Sequence, residues 1–447
     1  MTEPVFVALL ALLAVLLAPS APAEARTAKP LPIVFVHGNG DNAASWMTTI
    51  WRFESNGYPR ELLDAIDLRN PVATTRYDES EPTHSTPAEE MQQLAAEVAA
   101  VKKRTHAAKV ILIAHSRGGT IVRDYLKNGD GAASTAIAIL CGAVNHGIAI
   151  STAFLVGSEF NGDSPYMRDL NGTLDEVVPG VRFLTIRSDG NDKYAQSEGG
   201  FIGHPGVPTG LGPDAPALKG AENIAIPGID HRETAYGPAA FAAMYRFITG
   251  HEPKTSDVRP EHAPRLSGRI SGFVDGVPTN VGVAGATLEI YRVSPETGLH
   301  IGNAVWRKVT GADGAWGPIT VLPNADYEFI LAVPGAPVTH IYRSPFARGS
   351  RYVDLRPELL AKDDKDAGAV VYMVRPRGYF GVGRDRIALD GALPPMIAPG
   401  VPSVPVGKIA LSAGPPRTVV ATFDDESIPV RTWSIRDNQV SVAEFTW

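Results

Sequence analysis

VILIAHSRGG, Val110–Gly119, decides how the rest of the chain is read. Five apolar residues, Val110 to Ala114, form a short continuous run of the kind that makes a buried strand. They lead directly into His115-Ser116-Arg117-Gly118. A strand that turns sharply into a helix forces its turn residue into a strained backbone, and small residues two before and two after relieve the crowding. Ala114 and Gly118 hold those positions around Ser116, with Ala standing where such turns often carry Gly. The stretch therefore predicts a nucleophile elbow, with the Ser116 hydroxyl raised at the end of the strand. The backbone N–H of Arg117, at the start of the helix, then points to where charge develops on a bound carbonyl. On this reading the Arg117 side chain is free.

Working outward, strands and helices alternate. Ile33 to Val36 reads as a buried strand, and the segment from Ala44 to Gly57 as a helix stopped by that glycine. Thr86-Pro87-Ala88-Glu89 is a capping box with proline in the first turn. The helix it opens places Met91, Leu94, Ala95, Val98 and Val101 on one face. Strand Val110 to Ile113 follows, then a helix bearing Ile121, Val122 and Tyr125 and stopped at Gly129. Further strands are expected at Ala136 to Cys141, Val181 to Ile186 and Ile224 to Ile226, and a last helix at Pro238 to Ile248. Short apolar strands alternating with amphipathic helices predict an α/β fold, a mostly parallel sheet covered on both faces. The pattern stops in the polar, proline-bearing stretch Gly250 to Arg265. Beyond it, ATLEIYRV, ADYEFILAV and RTVVATF alternate like strands between Gly, Pro and Asp-Gly turns, so the C-terminal region is expected to be all-β, a sandwich or barrel. The expected division is 26–250 for the α/β part, 251–265 for a linker and 266–447 for the β part.

A serine nucleophile needs a base, and the base an orienting carboxylate, in the chain order Ser, Asp or Glu, His for this architecture. His231 is the best base among eleven histidines because it follows the last predicted strand. The loop after the strand ending at Ile186 offers two acids, Asp189 and Asp192. The loop after the first strand, His37-Gly38-Asn39, supplies a second oxyanion donor, the Asn39 N–H. His115 is expected to pack below the elbow. The histidines form no H-E-x-x-H pattern, so neither a catalytic metal nor a cofactor is expected.

Composition narrows the remaining possibilities. The chain has 447 residues, enough for two or three domains, and a net charge of −7 without a basic stripe, which argues against nucleic acid as a partner. Lys102-Lys103-Arg104 sits near a predicted helix C-terminus, where cations are favoured. Val5 to Ala18 is apolar throughout and is followed by small residues around Ala23 and Ala25. This predicts a cleaved signal peptide (1–25) and a secreted protein with no transmembrane segment after cleavage, with an N-terminal anchoring helix as the alternative. The n-region departs from the usual pattern in having no Lys or Arg. Cys141 is the only cysteine, so no internal disulfide framework is expected, and it reads as a small buried hydrophobe.

VHGNG, AHSRGG, DKYAQ and DHRETA together resemble the α/β-hydrolase lipases and esterases of bacteria. GAVNHG (Gly142–Gly147) is similar to a turn those lipases carry, with Val144 in place of proline, and SPYMRDLNG (Ser164–Gly172) to the segment after it. The resemblance of DKYAQ to the acid-bearing segment of a fungal lipase implies Asp192 as the acid. ESNGYP, FAAMYRFITGHEPKTSDVRP and IYRSPFARG resemble an archaeal lipase type with a C-terminal β-barrel that binds long acyl chains. That type takes its acid from the preceding strand end, where this chain has Cys141 and Gly142, which again implies the later loop. Residues 266–347 look like a transthyretin-like sandwich, with further β structure over 348–447. The resemblance implies a serine carboxylic ester hydrolase acting on an acyl ester or lipid, with catalytic Ser116, Asp192 and His231 and oxyanion donors Asn39 and Arg117. The glycine- and proline-rich loop from Gly199 to Gly220, with Phe201, Ile202 and Leu211, is a candidate acyl pocket or lid. Short-chain esterase, polyester depolymerase and phospholipase stay open. So does a lipid- or polymer-binding protein with an inactive hydrolase domain.

Overall fold

Val110 to Ala114 is buried throughout, and the strand it forms lies inside a six-stranded parallel sheet. In the computed structural model, which describes Met1 and residues 29–447, the sheet is built from β1 (Ile33–Val36), β2 (Leu63–Ala65), β3 (Val110–His115), β4 (Thr135–Cys141), β5 (Arg182–Ser188) and β6 (Glu222–Ile226). Its order is β2-β1-β3-β4-β5-β6 and every pairing is parallel. The expected signal peptide and both cleavage positions fall on residues 2–28, outside the described residues. Among those described, no helix is long and apolar enough to cross a membrane.

Successive strand residues point to opposite faces, which divides the apolar residues into two cores. Ile33, Phe35, Ile111, Ile113, Ile137 and Ile139 pack against α1 (Met47–Ser55) and α7 (Pro238–Thr249) through Phe53, Phe241 and Met244. Val34, Val36, Leu112, Ala114 and Leu140 pack the other way. There they meet Leu94 and Val98 of α2 (Pro87–Thr105) and Ile121 and Val122 of α3 (Arg117–Lys127). The capping box closes α2 as its sequence indicates: Glu89 N–H donates to Thr86 Oγ1 at 3.2 Å, and Thr86 N–H to Glu89 Oε2 at 2.8 Å. Such a cap contributes about 1 kcal/mol. Between these elements lie α4 (Gly131–Ser134), α5 (Pro165–Asn171) and α6 (Glu233–Tyr236).

After α7 the chain runs without regular structure to β7 (Arg265–Arg269), tied back to α1 on the way. Arg52 Nε donates to Ser256 O at 2.9 Å, and Asn56 Nδ2 to Thr255 O at 2.8 Å. From there the chain is β structure apart from two short 3-10 turns. The largest sheet has seven strands, drawn from β10 (Thr287–Val293), β11 (Trp306–Val309), β13 (Asp326–Ala332), β14 (Val338–Arg343), β15 (Ala369–Val374), β17 (Val406–Leu411) and β20 (Gln439–Glu444). Both sides of residue 347 therefore share one sheet. The last strand is inserted parallel between β14 and β15 and the other pairings are antiparallel. Met47 and Trp51 leave the α/β side of α1 and enter the β core beside Leu266, Trp316 and Phe346, and Trp51 Nε1 donates to Gly349 O at 2.9 Å. Leu31–Trp447 accordingly forms one compact unit.

Candidate active site

Where β3 meets α3, Ser116 has φ 52° and ψ −125°, a left-sided conformation that costs a non-glycine residue about 1–3 kcal/mol. The surroundings hold it there. Ser116 N–H donates to Cys141 O at 2.9 Å, and its own carbonyl accepts from Gly119 N–H at 2.9 Å. A Cβ on Gly118 would lie 2.5 Å from His37 O and 2.9 Å from Val36 O, both backbone atoms, so only glycine lets β1 approach the elbow this closely. α3 begins at Arg117, and the N–H groups of a helix's first turn have no acceptor within the helix. The Arg117 N–H is one of these donors.

Ser116 lines a cavity of about 130 Å³ together with His231, Asn39, Asp41, His115, Tyr194, Arg232 and Tyr379. Its apolar wall is Val144, Ile148 and Phe160. His231 Nδ1 lies 2.9 Å from Asp192 Oδ2, and the other Asp192 oxygen accepts from Tyr194 N–H at 2.9 Å. A carboxylate beside Nδ1 holds the proton on that nitrogen and leaves Nε2 as the basic one. Nε2 is buried and has no hydrogen-bond partner among the described residues. Asn39 sits in the loop after β1 with its side-chain oxygen taken by Ala73 N–H at 2.8 Å. Asp189 stands apart from the imidazole. It ties its own loop to the His231 loop by accepting from Gly228 N–H at 3.0 Å and Asn191 N–H at 3.1 Å. Burial works against its charge, but these donors and the Ser188 hydroxyl hold its carboxyl below the usual range.

The ring of His231 is seated from three sides. His115 Nε2 donates to His231 O at 3.1 Å, Thr234 Oγ1 donates to the same oxygen at 2.6 Å, and the Tyr194 ring stands edge-on to the imidazole with centroids 4.7 Å apart. A Cβ on Gly142, which has φ +53°, would come within 2.6 Å of Thr234 Oγ1 and 3.2 Å of His231 Nδ1. Glycine there leaves room for the base. His115 is itself buried, and burial, with His231 and Arg232 close by, pulls its pKa well below the ordinary value. It serves as a neutral support under the elbow, accepting from Tyr236 OH at 3.3 Å.

Two expectations are corrected. The Arg117 side chain is not free: it is buried, and all five of its N–H donors have acceptors. Nε and Nη2 clasp the two oxygens of Glu159, and Nη1 meets Glu90 Oε1 and Pro71 O. Nη2 also donates to Ser85 O at 2.6 Å. A guanidinium removed from water must be paired in this way. The sequence carried a signal, since Glu90 lies on the same face of α2 as Leu94, Val98 and Val101, a charge in an apolar stripe. Its burial, with the like charge of Glu159 adding to it, pushes the Glu90 carboxyl up to about 8 against the pull of Arg117. Second, Phe201, Ile202 and Leu211 do not line the cavity. The loop carrying them is tied to the segment after the cavity residue Ile148, where Ile150 N–H donates to Thr209 O at 2.6 Å.

Tyr379 was not foreseen as a site residue. It comes from the β region and lines the same cavity, with Arg232 packed 5.6 Å from its ring centroid. Lys193, next to Asp192, lies 4.6 Å from the same centroid, and its Nζ donates to Ser403 O at 2.8 Å. Burial and the charge of Arg232 pull its amine down to about 8. No sequence motif marks Tyr379, because its role arises from contact across more than a hundred residues. Among the described residues no group of three metal-ligating side chains is placed to hold an ion.

Residues 30–155, which include the elbow, match the family described as Lipase (class 2), and residues 263–360 match the lipase C-terminal domain. These two matched stretches bear out the resemblance to lipases. Solved structures similar to it include Bacillus licheniformis lipase BlEst2 in its mature form, at 19% identity over 51% of this chain and 96% of that one, with a TM-score of 0.38. The propeptide form of the same lipase aligns at 12% identity over 92% and 94%, with a TM-score of 0.39. Aspergillus fumigatus lipase B aligns at 13% identity over 52% of this chain and 55% of its own, with a TM-score of 0.37, so the chain spans about half the length of that lipase. Comparison with curated proteins finds no match.

Proposed function

We propose that this protein is a secreted serine hydrolase of carboxylic esters, with Ser116, His231 and Asp192 as its triad and an acyl ester or lipid as its substrate. The observation that carries the reading is the strained elbow at Ser116 opening on the same cavity as His231, whose Nδ1 is engaged by Asp192. Ser116 Oγ attacks the ester carbonyl carbon as His231 Nε2 takes its proton. The oxyanion is held by the N–H groups of Arg117 and Asn39. The tetrahedral species collapses, the alcohol leaves with the proton from His231, and an acyl-enzyme remains. Water, deprotonated by His231, then attacks the acyl carbon and releases the acid. None of these steps draws on a cofactor.

Residues 26–250 carry this chemistry on the same proposal, 251–265 connect, and 266–447 form the β region. Export rests on the apolar run Val5 to Ala18 and the small residues after it. N-terminal sequencing of the exported protein should begin at Glu24 or Arg26, and a start at Met1 overturns export by cleavage.

The deciding experiment is turnover of p-nitrophenyl esters from acetate to palmitate, with Ser116→Ala as control. Rates that rise toward long chains and vanish in the variant support a lipase. A short-chain esterase is favoured by one observation: only Val144, Ile148 and Phe160 of the cavity lining are aliphatic or purely apolar aromatic. Activity confined to acetate and butyrate would select that reading. No turnover at any length would leave a binding protein with an inactive hydrolase domain.

A further inference from the structure

We infer that Arg375, in the β region, is a positioning residue for the catalytic base. This rests on the proposal that His231 is that base. Two acidic residues flank His231, Asp230 immediately before it and Glu233 two after, and Asp230 is completely buried. Among the described residues, no Lys or Arg of the α/β region forms an ion pair with either. Arg375 Nη1 lies 3.2 Å from Asp230 Oδ2, and Nη2 lies 2.5 Å from Glu233 Oε1, so one guanidinium spans both carboxylates. Arg384 lies behind it, 3.2 Å from Asp230 Oδ2 and 2.9 Å from Glu233 Oε2. Its own further partner is Asp385 at 2.6 Å. Tyr379 N–H adds a 2.7 Å bond to Asp230 Oδ2, and Arg375 Nη1 donates to Tyr379 O at 2.6 Å.

The two oxygens of Asp230 have separate tasks. Oδ1 faces inward and accepts from Arg232 N–H at 2.8 Å and Glu233 N–H at 3.0 Å, shaping the turn that carries His231. Oδ2 faces the β region. The turn is therefore gripped through one carboxylate, with Arg375 on its outer oxygen. Arg375 is itself nearly buried, so its charge is little screened by water. Without it, two close carboxylates at the base of the His231 turn would face one another with only Arg384 between them. Like charges in such a setting either separate or take up a proton. Separation moves the turn, and with it the imidazole relative to Ser116. Misplacement by about 1 Å at a reacting pair costs roughly 10²-fold in rate.

The test is the rate at which diethyl p-nitrophenyl phosphate labels Ser116, and kcat for p-nitrophenyl butyrate, both expressed per titrated active serine in the full-length protein. The phosphate is small and reports how well His231 activates the serine rather than how an acyl chain binds. Arg375→Met should lower both rates about 10²-fold with KM nearly unchanged. Adding Glu233→Gln to it should restore most of the loss, because one of the opposed charges is gone. If Arg375→Met does not fold, as judged by circular dichroism, Arg375→Lys is read in its place. A point charge cannot bridge both carboxylates, so a smaller loss in the same two rates is expected. Wild-type rates per active serine in the folded single variant, or no recovery in the double one, overturn the positioning role. Absence of labelling in the wild-type protein overturns the serine-hydrolase reading, and this inference with it.

Discussion

The two halves of the site are built on opposite plans. Around Ser116 the support is local to the α/β region: β1, α2 and the segment holding Glu159 surround the elbow, and the paired Arg117 lies within it. Around His231 the α/β region supplies Asp192, His115, Thr234 and Tyr194, but further support comes from far along the chain, with Arg375 145 residues from the Asp230 it pairs with. Both halves set guanidinium groups across two acidic side chains, Arg117 across Glu90 and Glu159, and Arg375 together with Arg384 across Asp230 and Glu233. The first is shut inside one region and holds a nucleophile that must not move. The second crosses between regions and makes the base depend on the β region being in place. The difference teaches that, on the function proposed above, the β region takes part in the architecture of the reacting groups, whatever it does for substrate.

Five substitutions would break or sharpen that contrast. The largest effect is expected from Ser116→Ala, which should lower kcat for p-nitrophenyl esters by about 10⁴–10⁶. A residual rate near wild type would remove the serine from both halves of the argument. Asp192→Asn should lower kcat by about 10⁴ through the wrong imidazole tautomer, while Asp189→Asn leaves it nearly intact. The reverse ranking would transfer the acid to Asp189. On the Ser116 side, Arg117→Met should cost about 3–5 kcal/mol in urea unfolding, because the buried Glu159 carboxylate loses its counter-charge and Glu90 its hydrogen-bond donor. A loss below 1 kcal/mol would mean that water reaches Glu90 and Glu159. Gly118→Ala drives a methyl into two backbone carbonyls of the β1 end and should cost about 1–3 kcal/mol. An unchanged midpoint would show that β1 and the elbow separate easily.

The smallest expected effect is one of pH. Glu90 is held up to about 8 in the folded protein and returns to the ordinary carboxylate range on unfolding. Between those values the folded state binds more protons than the unfolded one, so stability from this group falls as pH rises from about 4.5 to 8. One group contributes a slope of at most about 1.4 kcal/mol per pH unit. Glu90→Gln should flatten the stability profile in that window by up to this amount. Parallel profiles for the two proteins would show that Glu90 stays ionised beside Arg117.

Much of the α/β region was legible because its signals are local. Apolar runs at Ile33–Val36 and Val110–Ala114 specify strands. Thr86 and Glu89 specify a helix start within four residues, and a serine between spaced small residues specifies a strained turn. The three-residue strand Leu63–Ala65 carries too little pattern to be read, and it exists because β1 offers it an edge. In the β region the alternation of β10 and β13 was readable, but not that β20 would be inserted parallel between β14 and β15.

The sequence alone determined which side chains can supply the chemistry and the order in which the chain presents them: Ser116, an acid after β5, and His231 after β6. It also determined the elbow, since backbone strain and its relief depend on residues two apart. Only the tertiary structure decided that Asp192 and not Asp189 lies against the imidazole. It alone decided that Arg117 is walled in by Glu90 and Glu159, and that Arg375 and Tyr379 complete the surroundings of His231. The physical reason is range. Dihedral preferences and hydrophobic periodicity act over a few residues and leave a mark in the local sequence. Ion pairing in a buried interior acts through space, and its partners carry no mark of one another until the chain has folded.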